Sequence, residues 1–222
     1  MLYNTIHAIR IQHLLSDRFS SFGRRSILKH IGTQRIETER LILRRFTAED
    51  SPAMFRNWAS DPHVTEYLIW PAYTDESGVA EYLQTVAAQY KNPAFYEWAI
   101  VLKSSNEPIG SIGCVRLWEE IAAMELGYCL GRQWWRRGLV PEALQAVIQF
   151  LFTNTDVNRI EAKHDVRNPA SGAVMKKCGM QYEGTLRQAA RYNQWLCDAA
   201  LYSILREEFL KKGTESPGEI FE

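Results

Sequence analysis

The stretch from Met124 to Phe152 constrains the fold most, because it indicates a strand, a loop and a helix in direct succession. Met124 to Leu130 is apolar and of strand length, whereas the apolar residues of the second half recur at helical spacing. Those residues are Leu139, Leu144, Val147, Ile148, Leu151 and Phe152. Pro141 suits the first turn of the helix. We therefore predict a strand, loop and helix unit here.

The loop of this unit combines glycines with positive charge. Gly131 and Gly138 relieve the backbone, and Arg132, Arg136 and Arg137 supply three cationic side chains. The following helix points its unpaired N–H groups, and the positive end of its dipole, back at the loop. An anion, in particular a phosphate group, is expected to bind at such a place.

Length and charge limit the classes of function. A chain of 222 residues suits one domain with a substantial core. Its 26 basic and 26 acidic residues balance, so no overall field draws it to nucleic acid or to a membrane surface. No apolar run approaches the roughly 20 residues of a membrane span. We expect local binding of a small partner, without direct binding to nucleic acid or membrane.

The cysteines indicate neither a metal site nor a disulfide framework. Cys114, Cys129, Cys178 and Cys197 form no Cys-x-x-Cys motif and do not pair closely with the five histidines. We therefore predict no bound metal. Reduced cysteines are typical of a cytoplasmic protein, which is the expected location.

Both ends of the chain differ from the middle in composition. Residues 1–34 hold five basic residues against one acidic residue, and they lack the apolar stretch of a secretory signal. We expect a basic extension that is poorly ordered or helical, and an organelle transit peptide shares this composition. The domain is expected at 35–212. Residues 213–222, with Pro217, Gly218 and three glutamates, are predicted to form a disordered acidic tail.

The remaining elements follow from periodicity, caps and turns. Thr47 is expected to cap one helix and a second helix to begin after Thr74. Pro169 is expected to open a later helix that stops at Gly179. Further strands are predicted at Leu41 to Arg45, Glu97 to Leu102, Pro108 to Trp118, Arg159 to Val166, Gln181 to Tyr192 and Trp195 to Leu205, with an ordered loop at Ser60 to Tyr73 and a turn about Asn193-Gln194. Three antiparallel strands followed by alternating strands and helices predict a mixed sheet with helices on its faces.

Five further segments carry a family resemblance: Arg159 to Ser171, Lys177 to Arg187, Thr38 to Arg44, Trp70-Pro71 and Asp198 to Glu208. They resemble the RimJ/RimL-type branch of the GNAT N-acetyltransferases, and the resemblance covers about residues 35 to 210. Trp135 to Val140 lies where that superfamily carries its pyrophosphate loop, and Gly138 keeps the motif's glycine. The resemblance implies an α+β (mixed α/β) fold: a mostly antiparallel sheet of six to seven strands, flanked by about four helices and splayed between two central parallel strands where acetyl-CoA inserts.

The implied activity is acetyl-CoA-dependent transfer of an acetyl group to a primary amine by direct attack. Acetyl-CoA is then the cosubstrate, and the resemblance suggests a protein or peptide N-terminal α-amine as acceptor. Three alternatives stay open: a small amine such as a polyamine or an antibiotic, a degenerate domain that only binds CoA, and a ping-pong reaction through Cys129. The oligomeric state is also open, and a homodimer is compatible with the sequence.

The resemblance implies roles for individual residues. Backbone groups of Tyr128, Cys129 and Leu130 are expected to hold the pantetheine arm, and the Tyr128 N–H to face the acetyl carbonyl. The pyrophosphate is expected on main-chain N–H groups of Trp135, Arg136, Arg137, Gly138, Leu139 and Val140. Val140 is larger than the family's usual residue and Arg136 replaces a frequent glycine, although an arginine is itself a good phosphate partner.

Four side chains near the expected site have two interpretations each. Asn168 is a helix cap or a cofactor contact, and Ser171 is a surface helix residue or the acid that protonates the thiolate. Met175 stands where related enzymes use a tyrosine, so Ser171 is the better acid. Glu125 forms a salt bridge or acts as general base, and Glu97 is a weaker candidate for the same task.

Overall fold

One sheet of eight strands organises the computed structural model, which describes residues 28–193 and 195–214. The strands are β1 Ile36–Glu37, β2 Leu41–Arg44, β3 Glu97–Leu102, β4 Glu107–Trp118, β5 Ala123–Leu130, β6 Arg159–Asp165, β7 Gln181–Arg191 and β8 Leu196–Leu205. Their order is β1-β2-β3-β4-β5-β6-β8-β7, and all neighbours are antiparallel except β5 and β6. The predicted mixed, mostly antiparallel sheet is confirmed, with one strand more than expected.

Six α-helices flank the sheet in the described residues, where the sequence predicts about four. They are α1 Ser51–Met54, α2 Pro62–Thr65, α3 Glu76–Gln89, α4 Leu139–Asn154, α5 Pro169–Lys177 and α6 Arg206–Thr214. The two added helices are α2 and α6, and α2 lies inside the predicted loop, where the Asp61 carboxylate accepts the His63 N–H and caps a single turn. None of the helices in this part of the chain is long and apolar enough to cross a lipid bilayer.

Alternation along the strands gives the sheet two apolar faces. The α4 face carries Trp98, Ile100 and Ile112, and it packs against the predicted stripe of α4, all of which is buried. The opposite face, called the α3 face, carries Ala99 and Val101 under α1 and α3. Each large apolar side chain buried in this way contributes roughly 1.5 to 3 kcal/mol.

The parallel strands β5 and β6 separate after three residue pairs. Ala123 pairs with Arg159, Met124 with Ile160 and Glu125 with Glu161, and the ladder then stops. The rest of β5 pairs with β4 alone, so a gap opens beside it toward its carboxyl end. This confirms the predicted splay between the central parallel strands. In an open sheet, such a place is where a ligand binds.

The chain ends differ in part from the expected domain limits. Residues 28–34 pack on the sheet: Leu28 is buried, and the Thr33 hydroxyl accepts the Glu97 N–H at 2.9 Å. Helix α6 continues through Thr214, so residues 213 and 214 are helical where disorder is predicted to begin. The predictions for residues 1–27, for the turn residue Gln194 and for residues 215–222 lie outside the described residues.

Candidate active site

The backbone of β5 presents polar groups to the gap. The Gly131 N–H donates to the Ile109 carbonyl at 2.8 Å, and residues of an antiparallel pair alternate between bonded and non-bonded positions. Cys129 lies two residues before Gly131 and pairs with Ser111, so its backbone groups bond to β4. Tyr128 and Leu130 occupy the non-bonded positions, so their N–H and C=O groups point into the gap. A molecule with amide groups can pair with this edge as an added strand would.

Trp135 lies at the end of the gap. Its indole N–H donates to the Leu130 carbonyl at 2.7 Å, while the residue as a whole stays 44% exposed. The sequence predicts a role for the main-chain N–H of Trp135 only. The structure adds a side chain that holds one of the gap's own acceptor groups.

The loop before α4 contains two residues in the left-handed region. Gly138 caps the helix with φ of 74°, which glycine adopts without strain. Arg136 has φ of 61°, a conformation that costs a residue with a Cβ roughly 1 to 2 kcal/mol. This backbone conformation suits the glycine that the resemblance implies at position 136, and Arg136 holds it under strain.

Two cations that the sequence did not single out face Gly138. A Cβ placed on Gly138 would lie 3.6 Å from Arg40 Nη2 and 4.0 Å from Lys177 Nζ. Arg40 also pairs with Glu142 and donates to the Arg137 carbonyl at 2.9 Å, which fixes the loop. The free N–H groups of the helix and these two cations together suit a pyrophosphate. Only the packing of α5 against α4 brings Lys177 here, and no local pattern signals it.

Tyr128 and Ser171 meet across the gap. The Tyr128 hydroxyl lies 2.9 Å from Ser171 Oγ and donates to the Ser171 carbonyl at 3.1 Å. Burial raises the pKa of Tyr128, so the phenol remains protonated. Asn168 caps α5 as predicted, with its side chain accepting the Ser171 N–H. Met175 is buried in the core on the same helix.

Glu125 forms a salt bridge at the point where β5 and β6 separate. Its carboxylate lies 3.0 Å from Lys163 Nζ, and Glu161 lies 3.4 Å from the same ammonium. Lys163 also stacks over the Trp118 ring at 5.7 Å. Of the two interpretations of Glu125, the structure favours the salt bridge. To act as a base, this carboxylate would first have to leave its ammonium partner.

An aromatic cavity lies on the α3 face beside the gap. It encloses about 250 Å³ and is lined by Met54, Trp70, Tyr73, Tyr82 and Ser111. Trp70 and Tyr73 of this lining belong to the segment that the sequence predicts as an ordered loop. Glu97 lies next to Ser111. Burial raises the pKa of the Glu97 carboxyl to about 8, and the hydrogen bond from the Ser111 hydroxyl partly offsets this rise.

The thiol of Cys129 is a weak nucleophile. Its Sγ lies 3.5 Å from Ser111 Oγ on the α3 face, and burial raises its pKa to about 11. A thiol of that pKa is almost fully protonated at neutral pH, and the thiolate is the reactive form. All four cysteines are free. No cluster of metal-binding side chains occurs among the described residues.

The hairpin between β7 and β8 fastens the loop that carries Trp70. The Asn193 N–H donates to the Leu68 carbonyl at 2.9 Å, and its side-chain amide donates to the carbonyls of Thr65 at 2.6 Å and Trp70 at 3.1 Å. One asparagine therefore fixes one wall of the cavity from the far end of the sheet.

Known proteins resemble this chain in sequence and fold. A family model described as an acetyltransferase (GNAT) domain matches residues 40–181. The chain is 34% identical to an uncharacterized N-acetyltransferase, p20, of Bacillus licheniformis, over 78% of this chain and 96% of that protein. It is 26% identical to the ribosomal protein uS5-alanine N-acetyltransferase of Escherichia coli (strain K12), over 73% of this chain and 84% of that protein.

A solved structure has the same fold. It is that of RimL, a ribosomal L7/L12 alpha-N-protein acetyltransferase, in complex with coenzyme A. The TM-score is 0.69, the identity is 22%, and the match covers 79% of this chain and 99% of that one. The relationship to this structure concerns the fold alone.

Proposed function

The chain belongs to the GNAT family of N-acetyltransferases, and on that premise we propose that it transfers the acetyl group of acetyl-CoA to the N-terminal α-amine of a protein or peptide. Acetyl-CoA as cosubstrate is supported mainly by the gap beside β5, which ends at the loop of Gly138. The gap offers the backbone of Tyr128 and Leu130 to an extended pantetheine arm. The loop offers helix N–H groups, Arg40 and Lys177 to the pyrophosphate.

The acceptor class rests on the relatives. The Escherichia coli relative is named for acetylating an alanine of ribosomal protein uS5, and RimL is named for the α-amine of L7/L12. The aromatic cavity beside the gap supplies a wall for such an acceptor, and the loop held by Asn193 closes it. We therefore place the α-amine between this cavity and the Tyr128 N–H.

Direct attack of the neutral amine is the reaction that suits these groups. Acetyl-CoA supplies the thioester carbonyl, and the Tyr128 N–H in the gap is placed to stabilise the oxyanion that forms as the amine attacks. The hydroxyls of Ser171 and Tyr128 are bonded to each other at 2.9 Å and offer a proton to the departing thiolate. The protonated Cys129 thiol, bonded to Ser111, argues against an acetyl-cysteine intermediate.

Isothermal titration with acetyl-CoA, together with a thiol-release assay over a panel of amines, tests the proposal. We expect binding, and release with peptides that carry a free N-terminus. Acetyl-CoA binding without thiol release for any amine would indicate a domain that only binds CoA. Thiol release with polyamines alone would show that the acceptor is a small amine and not a peptide N-terminus. A Cys129→Ala variant is expected to keep acetyl transfer, whereas its loss with cofactor binding intact would reinstate the ping-pong route.

A further inference from the structure

We propose that Glu97 is the group that takes the proton from the acceptor amine, and that the amine reaches the gap across the α3 face above Gly113, beside Val115. This inference rests on the proposed function and adds to it the proton acceptor and the direction of approach.

A row of two glycines leads from Glu97 to the gap. In the sheet register Glu97 pairs with Gly113, and Gly113 pairs with Gly127. Adjacent strands lie about 4.8 Å apart, so the row crosses three strands and ends on β5, two residues past the last pair with β6. Val115 Cγ1 would lie 2.8 Å from a Cβ placed on Gly127, so this methyl group covers Gly127. Gly113 adds no side chain of its own, so an amine can approach the Glu97 carboxyl there, beside Val115.

The carboxyl of Glu97 lies directly over Gly113. A Cβ placed on Gly113 would be 1.8 Å from Glu97 Oε2, so any other residue at position 113 would push the carboxyl away. This position puts the carboxyl about one strand spacing from Gly127, which is the neighbour of Tyr128. On this proposal the reacting centre lies between the carboxyl on the α3 face and the Tyr128 N–H in the gap.

The surroundings of Glu97 hold the carboxyl in a protonation equilibrium near neutral pH. Burial raises its pKa to about 8, and the Ser111 hydroxyl opposes this. The other titratable groups near it are Tyr82 of α3, Tyr90 directly after that helix, Cys114 of β4 and Cys129 of β5. Burial raises the pKa of each of these four groups, so all stay neutral. No ion pair to Glu97 is found among the described residues, in contrast to Glu125 with Lys163.

The acceptor nitrogen loses two protons during the reaction, one to Glu97 and one to the thiolate. An α-ammonium passes one proton to the Glu97 carboxylate, which releases it to solvent. The nitrogen lone pair then forms the C–N bond to the acetyl carbon, and the C–S bond breaks with its electron pair left on sulfur. The second proton leaves the nitrogen and reaches the thiolate through the hydroxyls of Ser171 and Tyr128. A base whose pKa lies near the working pH is the efficient choice for the first transfer.

Glu97→Gln, which keeps the shape of the side chain, tests the inference when it is measured beside Glu125→Gln. The acceptors are two matched peptides, one with an ordinary N-terminal alanine and one whose N-terminal residue is fluorinated so that its amine is neutral at pH 7. On the ordinary peptide at pH 7 we expect Glu97→Gln to lose at least about tenfold in kcat/KM, because only about one-tenth of such an amine is neutral there. On the fluorinated peptide, kcat/KM of Glu97→Gln should be within threefold of wild type. Raising the pH to 9 should restore the kcat/KM of Glu97→Gln on the ordinary peptide.

Two controls separate this role from a structural one. Acetyl-CoA affinity, measured by titration, should be the same in wild type and Glu97→Gln, and Glu97→Asp should recover part of the activity at pH 7. A Glu97→Gln variant within twofold of wild type on the ordinary peptide, or one equally impaired on both peptides, would overturn the assignment. If only Glu125→Gln loses kcat/KM, and loses it on the ordinary peptide but not on the fluorinated one, then Glu125 is the proton acceptor instead. If wild type itself transfers to neither peptide, the acceptor class of the proposed function has failed instead.

Discussion

The hydroxyl of Tyr128 lies 2.9 Å from Oγ of Ser171, and this hydrogen bond ties β5 to α5 across the gap. The sequence predicts a role for the main-chain N–H of Tyr128 and a separate one for the Ser171 hydroxyl. The structure joins the two, because the buried phenol remains protonated and can pass its proton to Ser171 as the serine proton moves to sulfur. The pair is therefore expected to act as one unit.

Ser171→Ala should lower turnover more than it weakens acetyl-CoA binding, since the contact to the thiolate develops mainly in the transition state. We expect a loss of ~10²-fold in kcat, which is typical of one acid–base group. Tyr128→Phe should show a smaller loss, and the double variant should be no worse than Ser171→Ala alone. Single-turnover kinetics and cofactor titration measure both quantities. Turnover of Ser171→Ala within twofold of wild type would leave Ser171 as a helix residue only.

Gly138→Asp should abolish acetyl-CoA binding. A carboxylate at this position would face Arg40 and Lys177, so it would neutralise both cations and occupy the place of the pyrophosphate. Gly138→Asn is the matched control, because asparagine has the same shape, carries no charge and tolerates a positive φ. Titration calorimetry should show little or no binding for the aspartate variant and a modest loss for the asparagine variant. Equal affinities in the two variants would remove the charge argument.

Arg136→Gly should stabilise the fold, because glycine adopts a φ of 61° without the strain that arginine bears. We expect a gain of about 1 kcal/mol in the free energy of unfolding, or roughly 2 to 4 °C in Tm for a chain of this size. Arg137→Gly, next in the chain and outside the left-handed region, should instead lose some stability. Thermal unfolding of the two variants measures this difference. A change in Tm of the same sign in both variants would contradict backbone strain at Arg136.

Asn193→Ala should raise the KM for the acceptor without changing acetyl-CoA affinity. The substitution removes two hydrogen bonds, to the Thr65 and Trp70 carbonyls, each of about 0.5 to 1.5 kcal/mol. We expect a rise of about tenfold, because the wall that carries Trp70 loses its attachment. Asn193→Asp should be at least as impaired, since a carboxylate cannot donate to either carbonyl. An unchanged KM in both variants would show that the loop holds its place alone.

The sequence predicts most of the frame and part of the site. The apolar stripe of α4, the cap at Asn168 and the splay beside β5 come from local patterns and from the family resemblance, and the structure confirms them. Contacts between distant segments carry no such signal. The approach of Lys177 to Gly138 depends on how two helices pack, and the burial of Glu97 depends on the absence of a side chain on the neighbouring strand.

Two carboxylates show the same limit. Glu125 and Glu97 both lie in apolar strands, and the sequence favours Glu125 because it stands on the strand beside the predicted carbonyl. We propose the opposite preference for a physical reason: Lys163 comes from β6 to neutralise Glu125, whereas among the described residues no cation pairs with Glu97, and burial raises its pKa to about 8. The partner of a charged residue on a strand is fixed by sheet order, which the sequence leaves open.

A free N-terminus should be acetylated faster than a lysine side chain. The reference pKa of an α-amine is about 7.7 to 8.0, against about 10.4 for lysine. At pH 7 deprotonation therefore costs the α-amine roughly 1 kcal/mol and lysine roughly 4 to 5 kcal/mol. Glu97, with a pKa of about 8, matches the first amine and is too weak a base for the second.

Two matched peptides measure this preference, one with a free N-terminus and no lysine, the other with a blocked N-terminus and one lysine. Mass spectrometry of both after the same incubation at pH 7 should show acetylation of the first at a rate at least tenfold higher. Because raising the pH increases the neutral fraction of lysine more steeply than that of an α-amine already past its pKa, the ratio should narrow by pH 9. Faster acetylation of the blocked peptide would overturn the preference, and transfer to polyamines with neither peptide modified would assign the enzyme to small amines.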